Sequence, residues 1–216
     1  MSRSVIVFSL LLVSACASFK SDYEERLIRS LPNQREVSFS EEQIYPGQVL
    51  CGKYASFTSN SFIRETRSFI VTPTLVMRYP DKNSIAVFCS DEPAKSLNST
   101  LGITPENDDW SELAELARDM ALLIDGINAY YEDKYTLPAN LELLLESDQG
   151  ISEDTLIDPW GHPYFYRAGL SGRTTPQFDL LSYGADGEAG GDGAARDILH
   201  QELPLLRHVL SVLDIR

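Results

Sequence analysis

Four carboxylates are spaced through a glycine-rich stretch near the end of this 216-residue chain, within residues 178–198. They are Asp186, Glu188, Asp192 and Asp197. A Ca²⁺ ion binds roughly six to eight oxygen atoms from carboxylates and backbone carbonyls, and the chain must bend sharply to bring them together. Glycine allows such bends at little steric cost. The stretch therefore predicts a site for a hard cation.

The spacing also imitates a known calcium loop, because Asp186 and Asp197 would be the first and last residues of a twelve-residue EF-hand loop with Gly191 at the sixth position. Gly190 and Gly193, however, occupy positions at which that motif needs a ligand and an apolar residue. An EF-hand is therefore rejected.

Several elements precede and follow this loop. Apolar residues recur at three- and four-residue steps after Asp108 and Asp109, which predicts an amphipathic helix that ends near Tyr135. A short helix is expected over 140–146, and strands are expected over 162–167 and 177–183. The apolar segment 203–213 predicts a last helix, with Pro204 in its first turn.

Three motifs in this order resemble the major (G-type) pseudopilin of type II secretion systems: YYEDKYTLP, then DPWGHPYFY, then FDLLSYGADGEAGGDGAARDI. The resemblance covers about residues 110–198 and implies a calcium-binding loop. It implies side-chain ligands at Asp186 and Asp197 and main-chain ligands at the carbonyls of Tyr183 and Glu188. Ala194 stands where the family commonly has another acid, so Asp192 would have to act after a one-residue shift.

The chain begins with a short export signal. Arg3 precedes an apolar run, and Val13-Ser14-Ala15-Cys16 is similar to the lipobox of bacterial lipoproteins. We expect cleavage after residue 15, diacylation of Cys16, and a tether or short helix over 16–33. Ala17 after the cysteine favours the outer membrane, facing the periplasm, in a Gram-negative host, and the cell surface is the alternative. A pseudopilin would have a prepilin leader and a polymerising helix at this place, whereas this chain has the lipobox-like sequence. We therefore do not expect a filament subunit.

Residues 34–92 show short alternating or β-branched runs that predict a small antiparallel sheet. The five predicted strands are 37–39, 48–54, 68–73, 75–79 and 84–89. In an exported chain, Cys51 and Cys89 are expected to form a disulfide, although two unpaired core thiols are the alternative. Residues 93–107 look like a linker, and 108–216 form the pseudopilin-like domain. The predicted fold class is α+β, with a helix packed on a small antiparallel sheet in that domain.

The formal net charge of −14 argues against nucleic acid as a partner. Motifs such as GxSxG, HExxH and GxxxxGK[ST] are absent, so an enzyme is not expected. Two functions remain. One is a calcium-stabilised structural or interaction role in type II secretion or a related envelope assembly, with a lipid anchor and secretion-system partners. The alternative is a periplasmic or surface module that recognises a peptide or glycan through the β region.

Overall fold

The computed structural model describes residues 19–32, 36–57, 63–107, 109–146, 150–169 and 177–215. The chain divides into two compact units, residues 1–93 and 94–216. Among the described residues, we find no helix with the length and apolar content needed to cross a membrane.

The first unit contains an antiparallel sheet of four strands in sequential order. Helix α1 covers residues 19–30 of the described chain. The strands are β1 (Ser38–Tyr45), β2 (Val49–Phe57), β3 (Arg64–Val71) and β4 (Val76–Met77). The pairing of β2 with β3 is continuous from Leu50 opposite Val71 to Phe57 opposite Arg64.

Helix α1 is part of the core of this unit. Its residues Tyr23 and Leu27 are buried together with Leu50, Tyr54 and Phe69 of the sheet. The Arg26 guanidinium of this helix donates to the Thr72 carbonyl at 2.7 Å. Of the two sequence-based expectations for this segment, the short helix is therefore the one found over 19–30.

The predicted strand 84–89 is wrong, because this segment forms helix α2 (Lys82–Phe88). Asp81 caps the helix, and its Oδ1 accepts a hydrogen bond from the Ser84 amide at 2.8 Å. Cys89 follows the helix and forms a disulfide with Cys51 of β2, which confirms the predicted bond. The bond joins the middle of the sheet to the end of α2.

The described part of the second unit contains three helices, a three-stranded antiparallel sheet and several 3₁₀ turns. Helix α3 (Pro93–Leu101) lies within the segment predicted as a linker. The others are helix α4 (Ser111–Lys134), strands β5 (Phe165–Ala168), β6 (Phe178–Ser182) and β7 (Ile198–Leu199), and helix α5 (Leu203–Val212). The predicted short helix after α4 is a 3₁₀ helix, Leu141–Glu146.

Helix α4 follows the predicted pattern. Its apolar face is buried, and Tyr135 ends the helix in the left-handed conformation. The buried members of the predicted face are Leu113, Leu116, Ala117, Met120, Leu123 and Ile127. A methyl group built at Gly126 would lie 2.4 Å from Ile151 Cδ1. The absence of a side chain at Gly126 thus leaves room for the Ile151 side chain.

Helix α5 begins with Leu203 and Pro204, as predicted, and packs against α4. Most of its apolar side chains are buried, as is His208. Proline suits the first turn because the missing amide hydrogen would have no partner within the helix. The strongly apolar character of α5 is therefore explained by burial within its own unit.

Candidate functional site

The acidic loop runs from the end of β6 to the start of β7 and turns back on itself. Two 3₁₀ turns, Gly184–Asp186 and Gly193–Ala195, lie within it. Gly184 has φ +69°, and a methyl group built there would lie 2.8 Å from the carbonyl oxygens of Ala194 and Arg196. Only glycine permits this backbone conformation and this close approach. The fold therefore brings the beginning and the end of the loop into contact.

The carboxylates of Asp186 and Asp197 both bind backbone amides of the loop. Asp186 Oδ1 accepts from the Glu188 amide at 3.0 Å, and Asp197 Oδ1 accepts from the Gly190 amide at 2.9 Å. The Asp197 amide in turn donates to the Gly190 carbonyl at 3.2 Å. Because a carboxylate has about four lone-pair sites, each side chain keeps acceptor capacity beyond these bonds.

The other predicted ligands lie in the same loop. Asp192 and Glu188 are exposed, and Asp192 immediately precedes the second 3₁₀ turn. Tyr183 precedes the first turn. Within the part of the chain that the structure describes, no three His, Cys, Asp or Glu residues form a group that could hold a metal ion.

Carboxylate and carbonyl oxygens are nevertheless the donors that Ca²⁺ uses. The loop offers both kinds of oxygen, so its donor chemistry fits the ion. The ligand set itself stays a prediction. Cys16, the predicted lipidation site, lies outside the described residues.

A buried carboxylate that the sequence did not indicate is linked by hydrogen bonds to the start of the loop. Asp158 of the DPWG turn is only 3% exposed. Its Oδ1 accepts from the amides of Trp160 at 3.2 Å and His162 at 2.8 Å. Its Oδ2 accepts from the hydroxyl of Ser182 at 2.6 Å, and that hydroxyl oxygen accepts from the Gly184 amide at 3.0 Å. The turn is thereby connected to the first residues of the loop.

His162 makes a second connection between this turn and the loop. A methyl group built at Gly187, where φ is +66°, would lie 2.5 Å from His162 Nδ1. The imidazole therefore lies directly against the glycine. The DPWGHP segment serves as the platform on which the first half of the acidic loop rests.

The aromatic residues after this turn bind the platform to helix α4 and its C-terminal connection. Trp160 Nε1 donates to Glu112 at 3.0 Å, and the Tyr166 hydroxyl donates to the Pro138 carbonyl at 3.0 Å. Tyr164 is buried, and burial raises the pKa of its hydroxyl, with a smaller contribution from the charges of Asp119 and Asp158. Tyr164 is a core residue of the second unit.

The end of the loop is held by a charge pair that sequence reasoning also missed. Arg196 binds both carboxylate oxygens of Glu202, at 2.9 and 2.6 Å, and donates to the Asp197 carbonyl. Glu202 further accepts from the Leu199 amide at 3.1 Å. Both side chains are largely buried. A signal existed in the sequence, because an arginine and a glutamate flank the short strand β7.

The segment that contains this site is similar to known proteins. Residues 106–201 match the family described as Type II secretion system (T2SS), protein G. A protein of Pseudomonas aeruginosa named Type II secretion system core protein G is 29% identical over 104 residues, which cover 42% of this chain and 71% of the relative. A protein of Xanthomonas campestris pv. campestris with the same name is 34% identical over 97 residues, which cover 41% of this chain and 66% of the relative.

Residues 106–201 are therefore similar to type II secretion protein G, which supports that part of the resemblance. The match includes α4, the DPWG turn and the acidic loop. The chain spans about two thirds of the length of these relatives. Residues 1–105, and helix α5 after the loop, lie outside the matched segment.

Proposed function

We propose that this chain is a lipid-anchored envelope protein whose calcium-stabilised, pseudopilin-like domain has a structural or interaction role in type II secretion. The observation that carries the proposal is the acidic loop resting on the DPWG turn within the segment similar to protein G. Relatives of that name support a place among secretion components.

Calcium would supply positive charge to a loop that is rich in acids. Asp186 and Asp197 would hold the ion through side chains, Asp192 would be a further side-chain candidate, and Tyr183 and Glu188 would offer their carbonyls. Binding to the folded form alone stabilises that form by mass action. The loop would then present a fixed surface to a partner protein.

The calcium part is tested by titrating the purified protein without its lipid anchor. We expect saturable Ca²⁺ binding by calorimetry and a melting temperature several degrees higher with Ca²⁺ than with chelator. Asp186→Ala should abolish the difference, whereas Asp154→Ala, which changes an acid outside the loop, should preserve it. Equal melting curves of the wild type in both conditions would contradict this part.

The anchor is tested through Cys16. In a Gram-negative host, the full-length protein should fractionate with the outer membrane and incorporate labelled fatty acid. Cys16→Ala should remove the label and release the protein. Membrane fractionation that persists without Cys16 would contradict the lipid anchor.

The role in secretion is tested by crosslinking in intact cells. Residues 94–216 should capture secretion-system proteins, and Asp186→Ala should weaken the capture. A screen in which the second unit captures none of them, in cells that assemble the system, would overturn this role.

A second function is favoured by one observation in the first unit. Tyr79 is 59% exposed, and the guanidinium groups of Arg67 and Arg78 lie 4.6 and 5.7 Å from its ring centroid. Exposed aromatic and arginine side chains are typical of protein recognition surfaces. We propose, as the alternative, that this surface recognises a peptide or glycan, and Tyr79→Ala should then abolish capture by residues 19–93.

A further inference from the structure

The peptide group between Tyr183 and Gly184 stands at the start of the acidic loop. Its amide hydrogen, on Gly184, points to the hydroxyl oxygen of Ser182, with the nitrogen 3.0 Å away. A trans peptide group is planar, and its carbonyl points away from its amide hydrogen. The hydrogen bond at Gly184 therefore fixes the direction of the Tyr183 carbonyl.

Ser182 can accept this bond in only one arrangement. Its side chain is fully buried, and its hydroxyl donates to Asp158 Oδ2 at 2.6 Å. A hydroxyl has a single proton, so donating it to Asp158 leaves the lone pairs for the Gly184 amide. A hydrogen bond to a carboxylate is stronger than one between neutral groups. It also polarises the next hydrogen bond in the chain, here the one from the Gly184 amide to Ser182.

Asp158 is itself held in place. Its other carboxylate oxygen accepts from the amides of Trp160 and His162, and its own amide donates to the His162 carbonyl at 2.7 Å. Burial keeps water from competing for these bonds. We term the hydrogen bonds from Asp158 through Ser182 to the Gly184 amide the Asp158 relay. The Asp158 carboxylate, at which the relay begins, is thus held in one orientation.

We propose that Asp158 and Ser182 are positioning residues for the cation loop. The relay holds the Tyr183–Gly184 peptide so that the Tyr183 carbonyl is oriented, and made more electron-rich, as a main-chain ligand. Neither side chain needs to contact the ion. This inference rests on the proposed function, and it adds two residues outside the predicted ligand set.

The variants separate orientation from simple stability. Ser182→Ala removes the relay, and Ser182→Thr retains the hydroxyl. Asp158→Asn keeps the shape but places an amide donor against Ser182, which reverses the direction of the relay. Asp179→Asn is the matched control, because Asp179 lies on the same strand as Ser182 and is exposed, where it pairs with Arg167.

The first arm of the experiment measures Ca²⁺ affinity by calorimetry at a temperature at which every variant is folded. Ser182→Ala and Asp158→Asn should weaken binding about tenfold, which corresponds to the loss of one good hydrogen bond. Ser182→Thr and Asp179→Asn should stay within about twofold of the wild type. If Asp158 and Ser182 only stabilise the fold, the Ca²⁺ affinity at this temperature will be unchanged in all four variants. That result would overturn the proposal.

The second arm measures amide hydrogen exchange in chelator, so it does not depend on calcium. The Gly184 amide should exchange about tenfold faster in Ser182→Ala than in the wild type or Asp179→Asn. Failure of the wild type to bind Ca²⁺ would overturn the proposed function, and the relay would then be judged by this arm alone. Unchanged Gly184 exchange in Ser182→Ala would overturn the relay.

Discussion

The two units of the chain differ in how charge and long-range links hold them together. Residues 1–93 contain ten acidic and ten basic residues, whereas residues 94–216 contain 22 acidic and eight basic residues. The whole formal net charge of −14 thus belongs to the second unit. The first unit is closed by a disulfide, and the second connects its turn to its loop by the Asp158 relay. A neutral unit with a covalent link should respond little to cations, whereas an acidic unit linked by hydrogen bonds should respond strongly.

The largest expected effect comes from removing the disulfide. The variant Cys51→Ala/Cys89→Ala should lower the free energy of unfolding of the first unit by roughly 3–4 kcal/mol, because the bond closes a loop of about 39 residues. Both tryptophans, Trp110 and Trp160, belong to the second unit, so their fluorescence follows that unit alone. Urea unfolding followed by circular dichroism should show an earlier transition, and the tryptophan transition should not move. A tryptophan midpoint that shifts by the same amount would contradict a stabilising effect of the disulfide confined to the first unit.

Acid should destabilise the second unit through His208. Burial lowers the pKa of this histidine to about 4, against 6.5 for an ordinary histidine. As pH falls from 6.5 towards 4, the unfolded chain takes up a proton that the folded chain resists, so about 2 kcal/mol of stability is lost. Urea unfolding followed by tryptophan fluorescence at pH 7 and 4.5 measures this loss. His208→Gln should reduce the difference between the two pH values; an unchanged difference would show that His208 is not its cause.

A smaller effect of opposite sign is expected from Asp119 on α4. Burial raises the pKa of this carboxyl to about 6, so the folded chain tolerates the neutral form better than the charged one. The Asp119 carboxyl therefore contributes to the stability of the folded second unit below pH 3.8, and this contribution is lost as pH rises through 6. Asp119→Asn should therefore stabilise the second unit at pH 7, by about 1 kcal/mol after allowing for its partial exposure, and have no effect near pH 4. Asp125→Asn, at an exposed position of the same helix, should change stability by less than about 0.5 kcal/mol at both pH values.

Local signals predicted much of the second unit. The helical period of α4, Pro204 of α5 and the glycines of the loop all act over a few residues, and the structure has the elements where these signals are. Local signals misled in the segment 84–89, and they did not indicate helix α3 in the segment predicted as a linker. Ile85, Val87 and Phe88 were read as part of a strand, although Asp81 and Ser84 already form a helix cap.

The contacts that support the candidate site form between residues that only the folded chain brings together. Asp158 and Ser182 are 24 residues apart, and their hydrogen bond exists only after the DPWG turn packs against the end of β6. The pair Arg196–Glu202 likewise depends on the short strand between the two residues. The resemblance identified the ligand candidates in the loop, and the fold was needed to show what holds the loop.

We propose that calcium stabilises the second unit and not the first. Calorimetric melting of the chain without its lipid anchor, with tryptophan fluorescence to assign the transition of the second unit, tests it directly in excess Ca²⁺ and in chelator. We expect Ca²⁺ to raise the tryptophan-detected transition by several degrees and to leave the transition of the first unit within about one degree. Equal shifts of both transitions, or no shift of either, would contradict it.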